Sequence, residues 1–90
     1  MTFSHIYAGA YNVDVNGYHF MCIFRNRSNM CIVNYAVTLE LTPDLTETAE
    51  RIRAGLTRSA GGKRFNALEV QHISEELAAA AHIIYPQEAS

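Results

Sequence analysis

The sequence predicts an α+β fold in which a three-stranded antiparallel β-meander is followed by two α-helices packed on one face. Before Thr42-Pro43, apolar and polar residues alternate, as they do in strands with one buried face. After it, apolar residues recur every three or four positions, as in amphipathic helices. Asn16-Gly17 also lies between two alternating segments, and this dipeptide is a strong hairpin signal. We expect the 90 residues to form a single domain, 1–90.

The first hairpin is predicted to join a strand from Tyr7 to Val15 with a strand from Tyr18 to Arg25. A type I′ turn needs positive φ at both central residues, and Asn16 followed by Gly17 adopts it at low cost. The predicted core face pairs Val15 with Tyr18, Val13 with Phe20, Tyr11 with Cys22 and Gly9 with Phe24. The opposite face pairs Asp14 with His19, Asn12 with Met21, Ala10 with Ile23 and Ala8 with Arg25.

The third strand is predicted from Met30 to Leu41, after a turn at residues 26–29. A loop at residues 27–28 places Phe24 opposite Cys31, whereas a loop at residues 26–27 places Cys22 there. Both loops keep the same side chains inward, because the shift between them is even. The predicted inward set is Cys31, Val33, Tyr35, Val37, Leu39 and Leu41. The predicted outward set is Met30, Ile32, Asn34, Ala36, Thr38 and Glu40.

The first helix is predicted to begin at Thr42 as the N-cap, with Pro43 at its first position. It is expected to end at residues 59–62, where two consecutive glycines favour a C-terminal cap. Its buried stripe is predicted to contain Leu45, Ala49, Ile52 and Leu56.

The second helix is predicted to begin at Asn66, with Glu69 completing a capping box and Phe65 with Val70 forming a hydrophobic staple. Residues 65–72 also have an alternative interpretation as a fourth strand, with a shorter helix capped by Ser74, which gives a βββαβα order. In the helical interpretation the buried face contains Val70, Ile73, Leu77, Ala80, Ala81 and Ile84.

The net charge and the sequence patterns argue against several classes of protein. The net charge of −2 is unlike that of a dedicated DNA-binding domain, which usually carries an excess of Lys and Arg. The sequence lacks a secretory signal pattern and any apolar run of the roughly 20 residues that a membrane span needs. Cys22 and Cys31 are expected to be free, buried thiols in a cytoplasmic protein.

A basic cluster lies between residues 51 and 64 and offers a nucleic-acid or phosphate contact. The simpler interpretation is helix electrostatics, because Glu47 precedes Arg51 by one turn and positive charge stabilises the last turn of a helix. The residues that would make the contact are Arg51, Arg58, Lys63 and Arg64.

The chemical motifs do not assemble an active site, and we expect no enzyme activity, metal or cofactor. Asp14 opposite His19 fits a cross-strand pair better than a catalytic base, since no nucleophile lies within reach in this register. Glu69 and His72 have the spacing of half a di-iron site, but only one copy of that pair occurs. The glycines at 61–62 follow a predicted helix, whereas a phosphate-binding loop follows a strand.

The outer face of the predicted sheet then carries the functional prediction. Two helices can cover only one face, so an apolar patch of Met21, Ile23, Met30 and Ile32, with Ala10 beside it, should be exposed. Exposed apolar patches of this kind mark protein contacts. The predicted function is non-enzymatic protein binding, by homodimerisation or by docking onto a larger complex. In type alone the chain is similar to phage-encoded inhibitors of host defence such as anti-CRISPR proteins.

Overall fold

The computed structural model describes residues 1–87 and has an α+β fold, in which a five-stranded antiparallel sheet of order β1-β2-β3-β4-β5 precedes two helices. The fold class is therefore confirmed, while the prediction of three strands is too coarse. The strands are β1 (Thr2–Tyr7), β2 (Ala10–Val15), β3 (Tyr18–Asn26), β4 (Asn29–Ile32) and β5 (Val37–Glu40). The helices are α1 (Leu45–Arg58) and α2 (Ala67–Ile84), with short 3₁₀ turns at Val33–Tyr35 and Gly61–Arg64.

The predicted hairpin between β2 and β3 is confirmed along the whole observed length of β2. Val15 pairs with Tyr18, and the register continues from there to Ala10 opposite Ile23. Asn16 and Gly17 have φ angles of 52° and 83°, the positive values that a type I′ turn requires. β2 does not extend back to Tyr7, as was predicted. Ala8 has a φ of 45° and forms a turn between β2 and an additional preceding strand, β1, which contains Tyr7.

The third predicted strand is divided in two, and the facing predicted for its first half is wrong. A bulge between Phe24 and Asn26 places Arg25 as an extra residue in β3, so that Phe24 opposes Met30. One extra residue reverses which face each following side chain occupies. Met30 and Ile32 are therefore buried in the core, whereas Cys31 lies on the opposite face and is half-buried.

The 3₁₀ turn after β4 restores the predicted facing for the remainder of the segment. Ala36 ends this turn in a left-handed conformation with φ of 55°, and β5 then returns antiparallel to β4. Val33 lies in the turn and is exposed, contrary to the prediction. The inward residues that the sequence analysis identified correctly are Tyr35, Val37, Leu39 and Leu41.

Helix α1 begins two residues later than predicted, because Asp44 and not Thr42 is its N-cap. The Asp44 carboxylate accepts hydrogen bonds from the backbone N–H groups of Thr46 and Glu47. The helix ends before Ser59, as expected. Leu45, which the predicted stripe placed in the core, is exposed, whereas Thr48, which was not part of that stripe, is buried.

Helix α2 has the predicted capping box between Asn66 and Glu69, so the alternative strand at residues 65–72 is wrong. It packs against α1 and against β2, while α1 packs against β5. The helix layer therefore covers one face of the sheet. Within residues 1–87, no helix combines the length and the hydropathy needed to cross a membrane.

A buried polar junction joins the two helices to the end of the sheet. Thr48 Oγ1 lies 3.1 Å from His82 Nε2 and 3.2 Å from the carbonyl oxygen of Thr42, and it accepts from the Thr42 N–H at 3.1 Å. When the Thr48 hydroxyl donates to the Thr42 carbonyl oxygen, His82 must donate its Nε2–H to the Thr48 oxygen. Each of these groups then has a hydrogen-bond partner.

Candidate functional site

The structure does not assemble the apolar patch predicted on the outer sheet face. Met30 and Ile32 are buried on the helix side, with relative exposures of 1% and 0%, and Ala10 is also buried. Met21 is exposed and Ile23 is half-buried, and both lie on the predicted face. Ile32 therefore belongs to the core and not to a binding surface.

The largest group of exposed apolar side chains lies instead along β1. All six residues of this strand are exposed, and Phe3, Ile6 and Tyr7 are among its large apolar members. Met1 precedes them and is also exposed, and Met21 lies two strands away in the same row as Ser4. The other exposed large apolar residues lie on the first 3₁₀ turn and the helices: Val33, Leu45, Leu68 and Ile83.

The register fixes which backbone groups of β1 point away from the sheet. The turn hydrogen bond directs Val15 toward β3, and in an antiparallel ladder the direction alternates along the strand, so Asn12 faces β1. Asn12 opposes Ser4, which therefore bonds back to β2. It follows that Phe3 and His5, its two neighbours, direct their N–H and C=O groups toward the free side of β1.

Asn34 confirms this alternation from the other side of the hairpin. Its side-chain amide donates to the carbonyl oxygen of His19 at 2.9 Å, and its oxygen accepts from the N–H of Met21 at 3.2 Å. Both groups belong to the part of β3 that extends beyond its pairing with β4. The Asn34 side chain thus replaces a neighbouring strand at this position and satisfies these two groups.

The opposite edge of the sheet, β5, is also protected. The strand has four residues and ends in a charged side chain, Glu40. Arg51 Nη1 donates to the Glu40 carbonyl oxygen at 3.1 Å, while Nη2 of the same side chain binds Glu47 at 2.9 Å. Short length, charge and covered backbone groups are the usual devices that keep an edge strand from pairing. By contrast, β1 is six residues long and contains no Lys, Arg, Asp, Glu or Pro.

The basic residues predicted to contact nucleic acid do not all lie together. Arg64 is positioned over the rings of Tyr18 and Phe65, at 5.0 and 5.5 Å from their centroids. Arg51 binds the carbonyl of Glu40, which is level with Asn26 at the other end of β3. Tyr18 and Asn26 are eight residues apart along β3, which corresponds to about 26 Å between the positions of Arg64 and Arg51 along the strand.

The other two basic residues of that prediction occupy the region where α1 ends. Arg58 is in the last turn of α1 and lies beside Ala36. Lys63 is exposed in the second 3₁₀ turn. The four side chains therefore do not form one continuous cationic surface that includes both Arg51 and Arg64.

The candidate catalytic and metal residues have structural partners. Asp14 and His19 form the predicted cross-strand pair, in which the His19 side chain is 79% exposed and the Asp14 side chain 43% exposed. Glu69 is occupied by its capping box, and His72 lies beside Glu76 one turn away. Within the described part of the chain, no group of three His, Cys, Asp or Glu residues is placed to hold a metal ion.

The two cysteines are free, as predicted, but only one is buried in the core. Cys22 opposes Ile32 and points to the helix side, while Cys31 opposes Ile23 on the other face. Burial, with a smaller contribution from the neighbouring Cys31, raises the pKa of the Cys22 thiol to about 12. Because the side chains point to opposite faces, the pair is not placed to form a disulfide.

Comparison of the chain with protein-family models, with curated proteins and with solved structures gives no match. The candidate site therefore rests on the geometry of β1, which the sequence analysis missed. A signal for this strand exists: residues 2–7 contain Thr, Phe, Ile and Tyr, which favour strands, and a turn at Ala8-Gly9 follows.

Proposed function

We propose that this protein is a small, non-enzymatic protein-binding module that accepts a β-strand of its partner along the free edge of β1. The observation that carries the proposal is the contrast between the two edges of the sheet. β1 is exposed at all six residues and uncharged, whereas Arg51 covers the last carbonyl of β5. A long, uncharged and exposed edge is a ready template for pairing with another chain.

Strand addition divides the recognition between backbone and side chains. The outward N–H and C=O groups of Phe3 and His5 supply four hydrogen-bonding positions in register with an extended segment. Phe3 lies on the helix side of the sheet, where it is 37% exposed, and Tyr7 lies on the opposite side and is 68% exposed. A partner segment with apolar or aromatic side chains on the helix side would extend the hydrophobic core past Phe3.

Binding of this kind serves either self-association or docking onto a larger complex, and an inhibitor would act by occupying the strand-binding edge of its target. In each case the partner contributes an extended segment with few charges. Charge on that segment would lose hydration beside Phe3 and Ile6 without gaining an opposite charge on β1.

The test uses one backbone donor and a matched control. Phe3→Pro removes an N–H that faces the free side, so the ladder between β1 and β2 is retained; proline is tolerated at such edge positions. Phe3→Ala loses the same aromatic ring but keeps the N–H. A displayed library of random peptides is selected on each immobilised protein, after circular dichroism has shown that each is folded.

We expect wild type and Phe3→Ala to enrich uncharged, strand-forming peptides and Phe3→Pro to enrich none. Retention of the same peptides by Phe3→Pro would overturn the proposal, because binding would then not use the backbone of this edge. Failure of all three folded proteins to enrich any peptide would also overturn it.

A further inference from the structure

We propose that the strand accepted by β1 is β1 of a second copy of this chain, paired antiparallel about a two-fold axis. This inference rests on the proposed function and names its partner. The two sheets would join into one sheet of ten strands, with the helices of both copies on the same face. An interface of this symmetry is isologous, so the same patch must complement itself.

The two outward residues of β1 favour one register for this pairing. An antiparallel ladder places an outward residue opposite another outward residue, and β1 has two of these, Phe3 and His5. Pairing Phe3 of each copy with His5 of the other uses all of them at once. The alternative with His5 opposite His5 would place Phe3 opposite Tyr7, which lies beyond the bulge and faces β2.

Self-pairing in this register meets no repulsion between like charges. β1 contains no acidic residue, lysine or arginine, and the one carboxylate in β2, Asp14, is already bonded to His19. On the helix side, Phe3 of one copy would lie beside the imidazole of His5 of the other, twice per dimer. Aromatic pairs across strands contribute favourably to such contacts.

The same register places Ser4 on the two-fold axis, directly opposite Ser4 of the second copy. Ser4 bonds back to β2, so the two serines form a non-hydrogen-bonded pair with Cα atoms about 4.5 Å apart. This separation is within the range that a disulfide bridges. Asn12, the neighbour of Ser4 on β2, would lie three strand spacings from its counterpart, which is about 14 Å and too far to bridge.

The experiment is disulfide trapping in a Cys31→Ser background, which removes the half-buried thiol on the same face. Ser4→Cys and the control Asn12→Cys are oxidised under mild conditions at about 100 μM protein, because the pairing of two short edge strands falls in the weak, micromolar class of interface. Dimers are counted by gel electrophoresis without reductant. Ser4 is exposed, so the substitution is compatible with the fold.

We expect most of the Ser4→Cys protein to become covalent dimer, at least ten times the fraction obtained with Asn12→Cys. Adding Phe3→Pro to Ser4→Cys should reduce the dimer to the level of the control. Equal trapping of Ser4→Cys and Asn12→Cys, or a monomer at 100 μM in both sedimentation and trapping, would overturn the inference. If the protein remains a monomer but enriches peptides that need the Phe3 N–H, the proposed function stands and only the second copy is excluded.

Discussion

The reversal of facing at the β3 bulge has a direct energetic consequence at two adjacent residues. Ile32 is fully buried, whereas Val33, the next residue, is 45% exposed in the 3₁₀ turn. The uninterrupted strand expected from the sequence would have given the opposite result. The loss of stability on substituting each of these two residues by alanine therefore distinguishes the observed facing from the expected one.

The expected magnitudes follow from burial. Ile32→Ala removes three buried carbons, worth about 2.4 kcal/mol of transfer free energy, and leaves a cavity, so the total cost should be about 3–4 kcal/mol. Val33→Ala removes two carbons from a partly exposed side chain and should cost less than about 1 kcal/mol. For a domain of this size, 1 kcal/mol corresponds to about 4–8 °C in the thermal midpoint.

The free energy of unfolding is measured by urea titration, with thermal melts as an independent check. If Ile32→Ala leaves too little folded protein, Ile32→Val should still cost about 0.5–1.5 kcal/mol. A Val33→Ala variant destabilised as much as Ile32→Ala would contradict the reasoning, because it would place both side chains in the core. Equal effects near zero would contradict it as well.

Three further predictions concern the thiols, the polar junction and the hairpin turn. At pH 8, Ellman's reagent should titrate Cys31 in the native protein and Cys22 only after denaturation, because burial raises the pKa of Cys22 to about 12; two thiols titrating at once would contradict this. Thr48→Val should cost about 1–3 kcal/mol in urea titrations, because it leaves buried partners unsatisfied, whereas Thr57→Val at an exposed position should change stability by less than about 0.5 kcal/mol. Gly17→Val should lower stability by about 1–3 kcal/mol, because φ there is 83°, and Gly17→Asn should cost less; an unchanged melting temperature for the valine variant would show that this turn tolerates a β-branched residue.

Local signals in the sequence predicted the hairpin and α2 well. Asn16-Gly17 defines the hairpin turn, because both residues readily adopt positive φ angles. Asn66 and Glu69 define the start of α2 through reciprocal hydrogen bonds. These features depend on residues a few positions apart. They were therefore predictable from the sequence without knowledge of the tertiary structure.

The bulge and the edge strand depend on longer-range structure. Nothing in the alternation before Asn26 indicates that Arg25 is extra, yet this one residue moves Met30 and Ile32 into the core. For the same reason the predicted apolar patch on the outer face was wrong. β1 escaped prediction because both of its faces are exposed, so burial does not impose a clear alternation on it.

The basic residues illustrate a further limit of sequence proximity. Arg51 and Arg64 are close in sequence, but a helix and a 3₁₀ turn carry them to opposite ends of the sheet. One completes the protection of β5, and the other stacks on aromatic rings. Their roles could be assigned only after the strands that they contact had been placed.

Backbone hydrogen exchange at β1, followed residue by residue by nuclear magnetic resonance, tests the free edge most directly. In dilute solution the amides of Phe3 and His5 should exchange rapidly, while the Ser4 amide between them is protected by its bond to β2. Raising the protein concentration to about 1 mM, well above the expected micromolar dissociation constant, should protect Phe3 and His5 and leave Ser4 little changed. Protection of Phe3 and His5 in the dilute monomer, or rapid exchange of both in the associated protein, would contradict the assignment of β1 as the binding edge.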